Sequence, residues 1–435
     1  MKRILLTGLF TAFFSFATVA QSTEFTDGVF ILNEGGIGSN NSTISFLPNE
    51  GELQDDVYAT VNDAVLGDTA QDMLFADNKA YIVLNYSNEV KIADAGSLEY
   101  IATISEGLNN PRYIQVLNGK AYISCWGDAM DTTDDYVAVI DLATNDVITS
   151  ISVGEGPEKM VLANDKLYVA QKGGWGYGNT VSVIDTDTNA VISTLNVGDV
   201  PGSIVLNDGY LYVLCEGMPS WAGAGLETTG RLYKFNPENN NFLESMTIFP
   251  DVQHPANLRF NGNDIYYTKG DGVYHTTTSS ELLPTEPFIP LAEQGIYGVY
   301  GFDVIDSKIY VGDALDFSSP GQVYVYAVED GEQLADYTVG VSPNSFHKAP
   351  EPPLGLPDTI AGVNLTVYPN PATEVIFLNT AKDAFVQIYD LAGRVVIAKQ
   401  QYTATGVNVS VLPTGTYLTE VTIDGTKAVK KLVIR

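Results

Sequence analysis

Cysteine, histidine and positive charge are all scarce in this sequence. Its 435 residues include two cysteines and three histidines, and 22 Lys and Arg stand against 53 Asp and Glu, a net charge of −31. Two cysteines cannot staple a scaffold, and His254, His275 and His347 leave no His/Cys set of the usual zinc type. A chain this acidic repels phosphate backbones and anionic headgroups, which argues against nucleic-acid and peripheral-membrane partners. A bilayer-length apolar run is missing too. The stretch from Ile4 to about Ala17 is short, follows Lys2 and Arg3, and precedes Thr18-Val19-Ala20. It reads as a secretory signal over residues 1–20, not as a transmembrane segment. No cysteine lies near the expected cleavage point, so a lipid anchor is not indicated. Gly-x-Ser-x-Gly, His-Glu-x-x-His and phosphate-loop motifs are absent, and no cofactor or metal is expected. What is present is 45% apolar composition, 40 glycines and 25 tyrosines, a mixture that favours strands and turns.

The middle of the chain repeats itself. Pro111 precedes Tyr122 by 11 residues, and the same spacing relates Pro157 to Tyr168, Pro201 to Tyr212 and Pro255 to Tyr266. Ala70 and Tyr81, and Val299 and Tyr310, keep the interval with the proline replaced. With Phe30 as the first anchor the series has seven members, 41 to 54 residues apart. Within a unit, alternating apolar residues are broken by Asn/Asp-Gly-type turns, as in Lys166-Leu-Tyr-Val-Ala and Thr180-Val-Ser-Val-Ile-Asp. That pattern predicts antiparallel hairpins with a buried face, four short strands per unit. Units of this length and content are propeller blades. The first unit lacks a proline strand of its own, and the last is followed by Val341-Ser-Pro-Asn-Ser-Phe-His347 with no tyrosine strand after it. The late segment is therefore expected to serve as the inner strand of the first blade. The expected fold is all-β: a seven-bladed β-propeller over residues 21–348, then a small immunoglobulin-like β-sandwich.

The Gly-x-x-Pro…Leu-Tyr-Val-Ala…Val-Ser-Val-Ile-Asp-Thr pattern resembles the YVTN-type seven-bladed propellers of bacterial surface proteins. The opening Gly28-Val-Phe-Ile-Leu-Asn-Glu-Gly-Gly is similar to a Bacteroidetes subgroup that includes surface propellers capturing cobalamin. This resemblance implies a non-catalytic capture role with a corrinoid as one ligand. Unlike that subgroup, the chain has no lipobox cysteine and carries an extra C-terminal domain.

Ala349-Pro-Glu-Pro-Pro-Leu-Gly-Leu-Pro357 reads as a stiff spacer. Beyond it, residues 358–435 hold Val367-Tyr-Pro-Asn-Pro-Ala, Val386-Gln-Ile-Tyr-Asp-Leu-Ala-Gly-Arg, Leu412-Pro-Thr-Gly-Thr-Tyr-Leu and a final Lys430-Lys-Leu-Val-Ile-Arg. In that order these runs resemble the type A sorting domain of the type IX secretion system, which implies the outer-membrane translocon as a partner and export to the cell surface or the medium. The charge divides at the same place: residues 21–357 hold 13 basic and 47 acidic residues, whereas the tail is nearly neutral.

In a propeller, the loop before each inner strand and the loop after each tyrosine strand open on one face, because neighbouring antiparallel strands reverse direction. All three tryptophans fall in the latter loops: Trp126, Trp175 and Trp221. Tyr177 and Met218 join them. Tryptophan in glycine-rich loops of variable length fits a binding face, since rings bury area at low entropic cost; packing of loop on loop is the structural alternative. The channel mouth is the second candidate. The two residues after each proline position make a ring of donors and acceptors that includes Arg112, Tyr113, Lys159, Asn257, Tyr300 and Asn344. A small molecule, corrinoid or glycan, is the expected ligand. Two other readings stay open: a lyase or glycan hydrolase working through carboxylates at the mouth, and an adhesion propeller that meets another protein. The four aspartates 128, 131, 134 and 135 read as a solvated acidic tip, with a calcium loop as the alternative although their spacing matches no known one, and Cys125 and Cys215, two blades apart, read as separate thiols.

Overall fold

The computed structural model describes residues 25–239, 241–270, 272–280, 282–296, 298–350, 359–360, 363–380, 383–390, 394–403, 405–423 and 426–435. The signal segment 1–20 and most of the spacer 349–357 lie outside the described residues.

Seven antiparallel sheets form the propeller, six of them built from consecutive stretches of chain. Their inner strands are Pro343–Lys348, Ala70–Ala76, Pro111–Leu117, Pro157–Ala163, Pro201–Asn207, Ala256–Asn261 and Gly301–Ile305, for blades one to seven. Each inner strand touches the next, and Gly301–Ile305 touches Pro343–Lys348, which touches Ala70–Ala76, so the ring is closed. The second strands carry the anchors Phe30, Tyr81, Tyr122, Tyr168, Tyr212, Tyr266 and Tyr310, all buried. They pack in the seams between blades. One core cluster joins Tyr122, Val137 and Val139 of blade three to Met160, Leu167 and Val169 of blade four. A buried hydroxyl needs a partner, and the next blade's turn supplies it: Tyr122 donates to the Thr186 carbonyl at 3.1 Å and Tyr168 to Asn241 Oδ1 at 2.6 Å. The hairpin turns follow the expected chemistry. Asn118 and Gly119 have φ of 51° and 74°, the left-handed pair of a tight two-residue turn.

Ring closure matches the sequence expectation. Gly28–Asn33 pairs antiparallel with Pro343–Lys348, Phe30 opposite His347 and Ile31 opposite Phe346. The first blade thus takes its inner strand from the far end of the domain, which removes the open sheet edge.

Four strands per blade does not hold throughout. Blades one and six have three. In blade one, a single bridge between Phe46 and Gln54 is followed by the helix Val57–Asn62, where Asp56 accepts a bond from the Ala59 N–H and Val57 and Tyr58 are buried. In blade six, the outer segment holds Pro284, Pro287 and Pro290. Proline has no N–H to give a ladder, and among the described residues only the Val273–Ile289 bridge forms.

The C-terminal unit is a separate sandwich. A four-stranded sheet (Val395–Gln401, Ala384–Asp390, Gly415–Ile423, Thr426–Ile434) and a three-stranded one (Val367–Tyr368, Val375–Leu378, Val407–Asn408) bury one core containing Ile376, Val386, Val421 and Leu432. Inward residues alternate along its strands, as in Gly415–Ile423.

Deleting residues 343–348 leaves Gly28–Asn33 as an unpaired edge and uncovers Ile31 and Tyr310. The expected result is loss of the cooperative melting transition of the propeller by scanning calorimetry, and an unchanged transition would refute closure by this strand.

Candidate functional site

The starts of the inner strands and the ends of the second strands enclose a cavity of about 690 Å³ on the ring axis. Arg112, Tyr113, Lys159, Asn257, Tyr300 and Asn344 all line it, as do Trp126 and Trp175. The two loop classes thus open on one face, as the strand directions require.

The cavity concentrates the domain's scarce cations. Four of the 13 basic residues of 21–357, Arg112, Lys159, Lys172 and Arg259, line this one space. Three are engaged. Arg112 forms a forked pair with Glu158, Nε to Oε1 at 2.9 Å and a terminal nitrogen to Oε2 at 3.3 Å. Lys172 meets Glu216 at 3.0 Å, and Arg259 meets Asp303 at 2.9 Å. Gly202 makes room for the second pair, since a Cβ there would overlap the Glu216 carboxylate. Lys159 forms no ion pair or hydrogen bond among the described residues; its ammonium stands 5.9 Å from the Tyr113 ring.

Burial shifts the remaining titratable groups. Desolvation lifts Asp72 to about 7 although it accepts a bond from the Ile114 N–H at 3.1 Å. Desolvation, followed by repulsion from Arg259, lowers Lys159 to about 8. His347 is pushed down to about 4 by the same loss of water, and its Nε2 lies 2.9 Å from Ser345 Oγ. Glu34 is raised by burial and accepts a hydrogen bond from the Tyr300 hydroxyl. Asn344 donates to the Ala70 carbonyl at 2.8 Å, which ties the closing strand to blade two at the cavity wall.

One wall is aromatic. The Arg112 guanidinium lies 4.4 Å over the Trp126 ring, and Trp126 meets Trp175 edge to face at 5.9 Å. The Trp126 indole N–H is buried and finds no acceptor among the described residues. Trp175 is 75% exposed at the rim. The glycines around it are positional: Gly156 is left-handed at φ 61°, and a Cβ there would strike the backbone of Gly173 and Gly174. That close approach seats the Trp175 loop against the start of blade four. Ile37, Tyr86, Leu315 and Phe317 add exposed apolar groups around the same face. Leu315 and Phe317 have φ of 50° and 59°, positions where a non-glycine residue is strained.

Tyr177, Met218 and Trp221 do not line the cavity. Tyr177 lies on the return limb of the glycine loop. The base of the 215–231 loop is zipped, with the Met218 N–H on Thr228 Oγ1 at 2.8 Å and the Thr228 N–H on the Met218 carbonyl at 3.1 Å. Its tip is thereby pushed outward, and Trp221, in the turn Ser220–Ala222, is 81% exposed. Conversely, sequence reasoning overlooked Glu34, Asn85, Lys172 and Glu216. Each lies four residues after an anchor, as Trp126 does, so the repeat carried the signal. Arg259, Asp303 and His347 were also overlooked, and each lies four residues after a proline-position residue.

Cys125 and Cys215 are buried, free thiols. The acidic loop's carboxylates are taken by backbone donors: within the loop Asp134 accepts from the Asp128 N–H and Asp131 from the Thr133 N–H, and Asp135 accepts from the Gly156 N–H ahead of blade four. Among the described residues no group of three or more His, Cys, Asp or Glu is placed to hold a metal ion.

Comparison with known proteins places the larger domain first. Residues 27–340 match the family described as Domain of unknown function (DUF5074). The chain belongs to that family. Residues 366–435 match the secretion system C-terminal sorting domain. The protein is accordingly a type IX secretion cargo, secreted or held at the cell surface, and among the described residues no helix is long and apolar enough to cross a membrane. No curated protein matches the chain. Among solved structures, a quinonprotein alcohol dehydrogenase-like protein from Bacteroides thetaiotaomicron is similar at 19% identity and TM-score 0.56, covering 75% of this chain and 79% of its own. A periplasmic gluconolactonase from Pseudomonas aeruginosa is similar at 13% identity and TM-score 0.53, covering 74% and 100%. At these identities the likeness shows the propeller fold, which does not decide function.

Removing one partner of a buried ion pair strands the other charge. Arg112→Met is expected to destabilise the protein by roughly 3 kcal/mol in urea unfolding, with Arg112→Met/Glu158→Leu recovering most of the loss. A double variant no more stable than the single one would show that the pair's fork is not the source.

Proposed function

We propose that the protein is a non-catalytic capture propeller, carried to the cell surface or released, whose small-molecule ligand enters the axial cavity from the loop-bearing face. The observation that carries this reading is the meeting of Trp126, Trp175, Arg112, Lys159 and Tyr300 in one concave space of drug-sized volume. Apolar rims with a few convergent polar groups are the usual form of such sites. The pairing of three cations with carboxylates supports binding over strong charge-driven chemistry. A corrinoid such as cobalamin is the ligand that the sequence resemblance implies. It exceeds the cavity, so it would rest across the collar formed by Ile37, Tyr86, Trp175 and Phe317, with only a part inserted.

A second reading, a lyase or glycan hydrolase, has one observation in its favour. Asp72, lifted to about 7, and Lys159, lowered to about 8, are both poised near neutral pH in the same cavity, where acid–base catalysis needs its groups. Under that reading Asp72→Asn abolishes turnover of a glycan; under the capture reading there is no turnover to lose.

Tryptophan fluorescence of the full chain, titrated with cobalamin and then a neutral glycan panel, separates the ligands. Saturable quenching is expected, corrected for cobalamin's own absorbance. Trp126→Ala/Trp175→Ala should weaken it at least tenfold and Trp221→Ala leave it unchanged. Retained affinity in the double variant would remove the cavity as the site.

A further inference from the structure

Among the cavity's four cations, Lys159 is the odd one. Arg112, Lys172 and Arg259 each hold a carboxylate within 3.0 Å. Lys159 holds none among the described residues, although it is partly buried; Arg259 and Lys172 raise the positive potential around it, and Asp303 and Asp72 offset this from beyond ion-pair distance. Taking an ammonium out of water without a partner is costly, and a fold with 47 acidic residues between 21 and 357 had many ways to supply one. A cation with no direct ion-pair partner among the described residues, on the wall of an open cavity, is an arrangement that an incoming anion completes.

We infer that Lys159 anchors an oxyanion of the ligand, a carboxylate or a phosphate borne close to a ring that stacks on Trp175. This rests on the reading of the axial cavity as the ligand site and deepens it. The stacking partner is on the page: Trp175 stands exposed at the rim of the cavity that Lys159 lines, held by the Gly156 contact and by the edge of Trp126. The surrounding acidity sets the size of the ligand. A domain of net charge −34 repels long polyanions at the approach, whereas one oxyanion inside the cavity meets the ammonium at short range, where screening is weak. The class that suits both features is a small acidic ring compound, such as a uronic acid or a phosphorylated ring.

The groups facing Lys159 set a pH signature. They are Asp72 from blade two, Arg112 and Tyr113 from blade three, Glu158 beside it, Lys172 on its own blade, Arg259 from blade six and Asp303 from blade seven. Arg112 and Lys172 lose water but are held above their ordinary values by Glu158 and Glu216, Tyr113 stays neutral because burial raises it, and Arg259 is paired with Asp303. An anion binds the protonated amine, so the amine's own titration makes affinity fall about tenfold per pH unit above about pH 8. Asp72 adds a lower step in the same direction as it ionises near pH 7, and Asp72→Asn removes that step and moves the alkaline limb to lower pH, because the Asp72 carboxylate is one of the charges that hold Lys159 up.

The test titrates full-length protein with sodium glucuronate, inorganic phosphate and glucose, reading tryptophan fluorescence and melting temperature. Glucuronate or phosphate is expected to saturate the wild type at least tenfold more tightly than glucose, and the anion that does so names its source as a uronic acid or a phosphoryl group. Lys159→Met should lose that tenfold preference and the alkaline limb while keeping the melting temperature; Lys159→Gln serves if the methionine variant is poorly folded. If Trp175→Ala abolishes anion binding but Lys159→Met does not, the anchor is wrong and the cavity reading stands. If neither variant affects binding, both fall. A wild type that responds to neither anion overturns the inference.

Discussion

Residues from the two ends of the propeller, Gly28–Asn33 and Pro343–Lys348, pair by backbone hydrogen bonds, and the rest of the molecule depends on this pairing. It closes the ring and removes an open edge. It also completes the cavity. Glu34 follows the first of these strands and Asn344 and His347 lie on the second, so part of the wall exists only when the ends meet. Asn344 then reaches the Ala70 carbonyl of blade two, and Tyr300 of blade seven donates to Glu34 of blade one. Stability and the site are one construction at this seam.

Elsewhere the ring is held by repetition. Each buried aromatic anchor fills a seam, and in blades three and four its hydroxyl is satisfied by the next blade's turn. A repeat that cannot bury its faces alone becomes stable only among neighbours. This rigid frame lets the strand starts and loops of one face differ without cost to the core, and they bear the groups that distinguish this chain: the forked Arg112–Glu158 pair and the Lys159 ammonium on inner strands, and the Trp126–Trp175 wall on loops.

Much of the fold was legible. The 11-residue interval between proline position and tyrosine comes from two adjacent strands joined by a tight turn, and that geometry is local, so it is written in the chain. The broken outer edges of blades one and six were less visible, because a capped helix at Asp56 and a proline-rich segment at 284–290 replace a strand that the repeat period suggests. The site was half legible. Inner-strand positions such as Arg112, Lys159 and Asn344 followed from the repeat, whereas Glu34, Lys172 and Glu216 occupy a repeat position that was not counted. Trp221 and Trp175 look alike in sequence; a zipped loop base sends one outward, and a glycine contact sets the other at the rim.

The sequence by itself determined the number of blades, the closing strand, the sorting domain and the acidity of the cargo, because these rest on periodicity, motif order and composition. Only the tertiary structure decided which charges pair. Arg112 and Glu158 are 46 residues apart and their counterparts Arg259 and Asp303 44, and nothing in the chain between them fixes an ion pair. Partnership depends on which side chains the ring brings within 3 Å inside a space with little water. The same closure that joins those pairs leaves Lys159 without one.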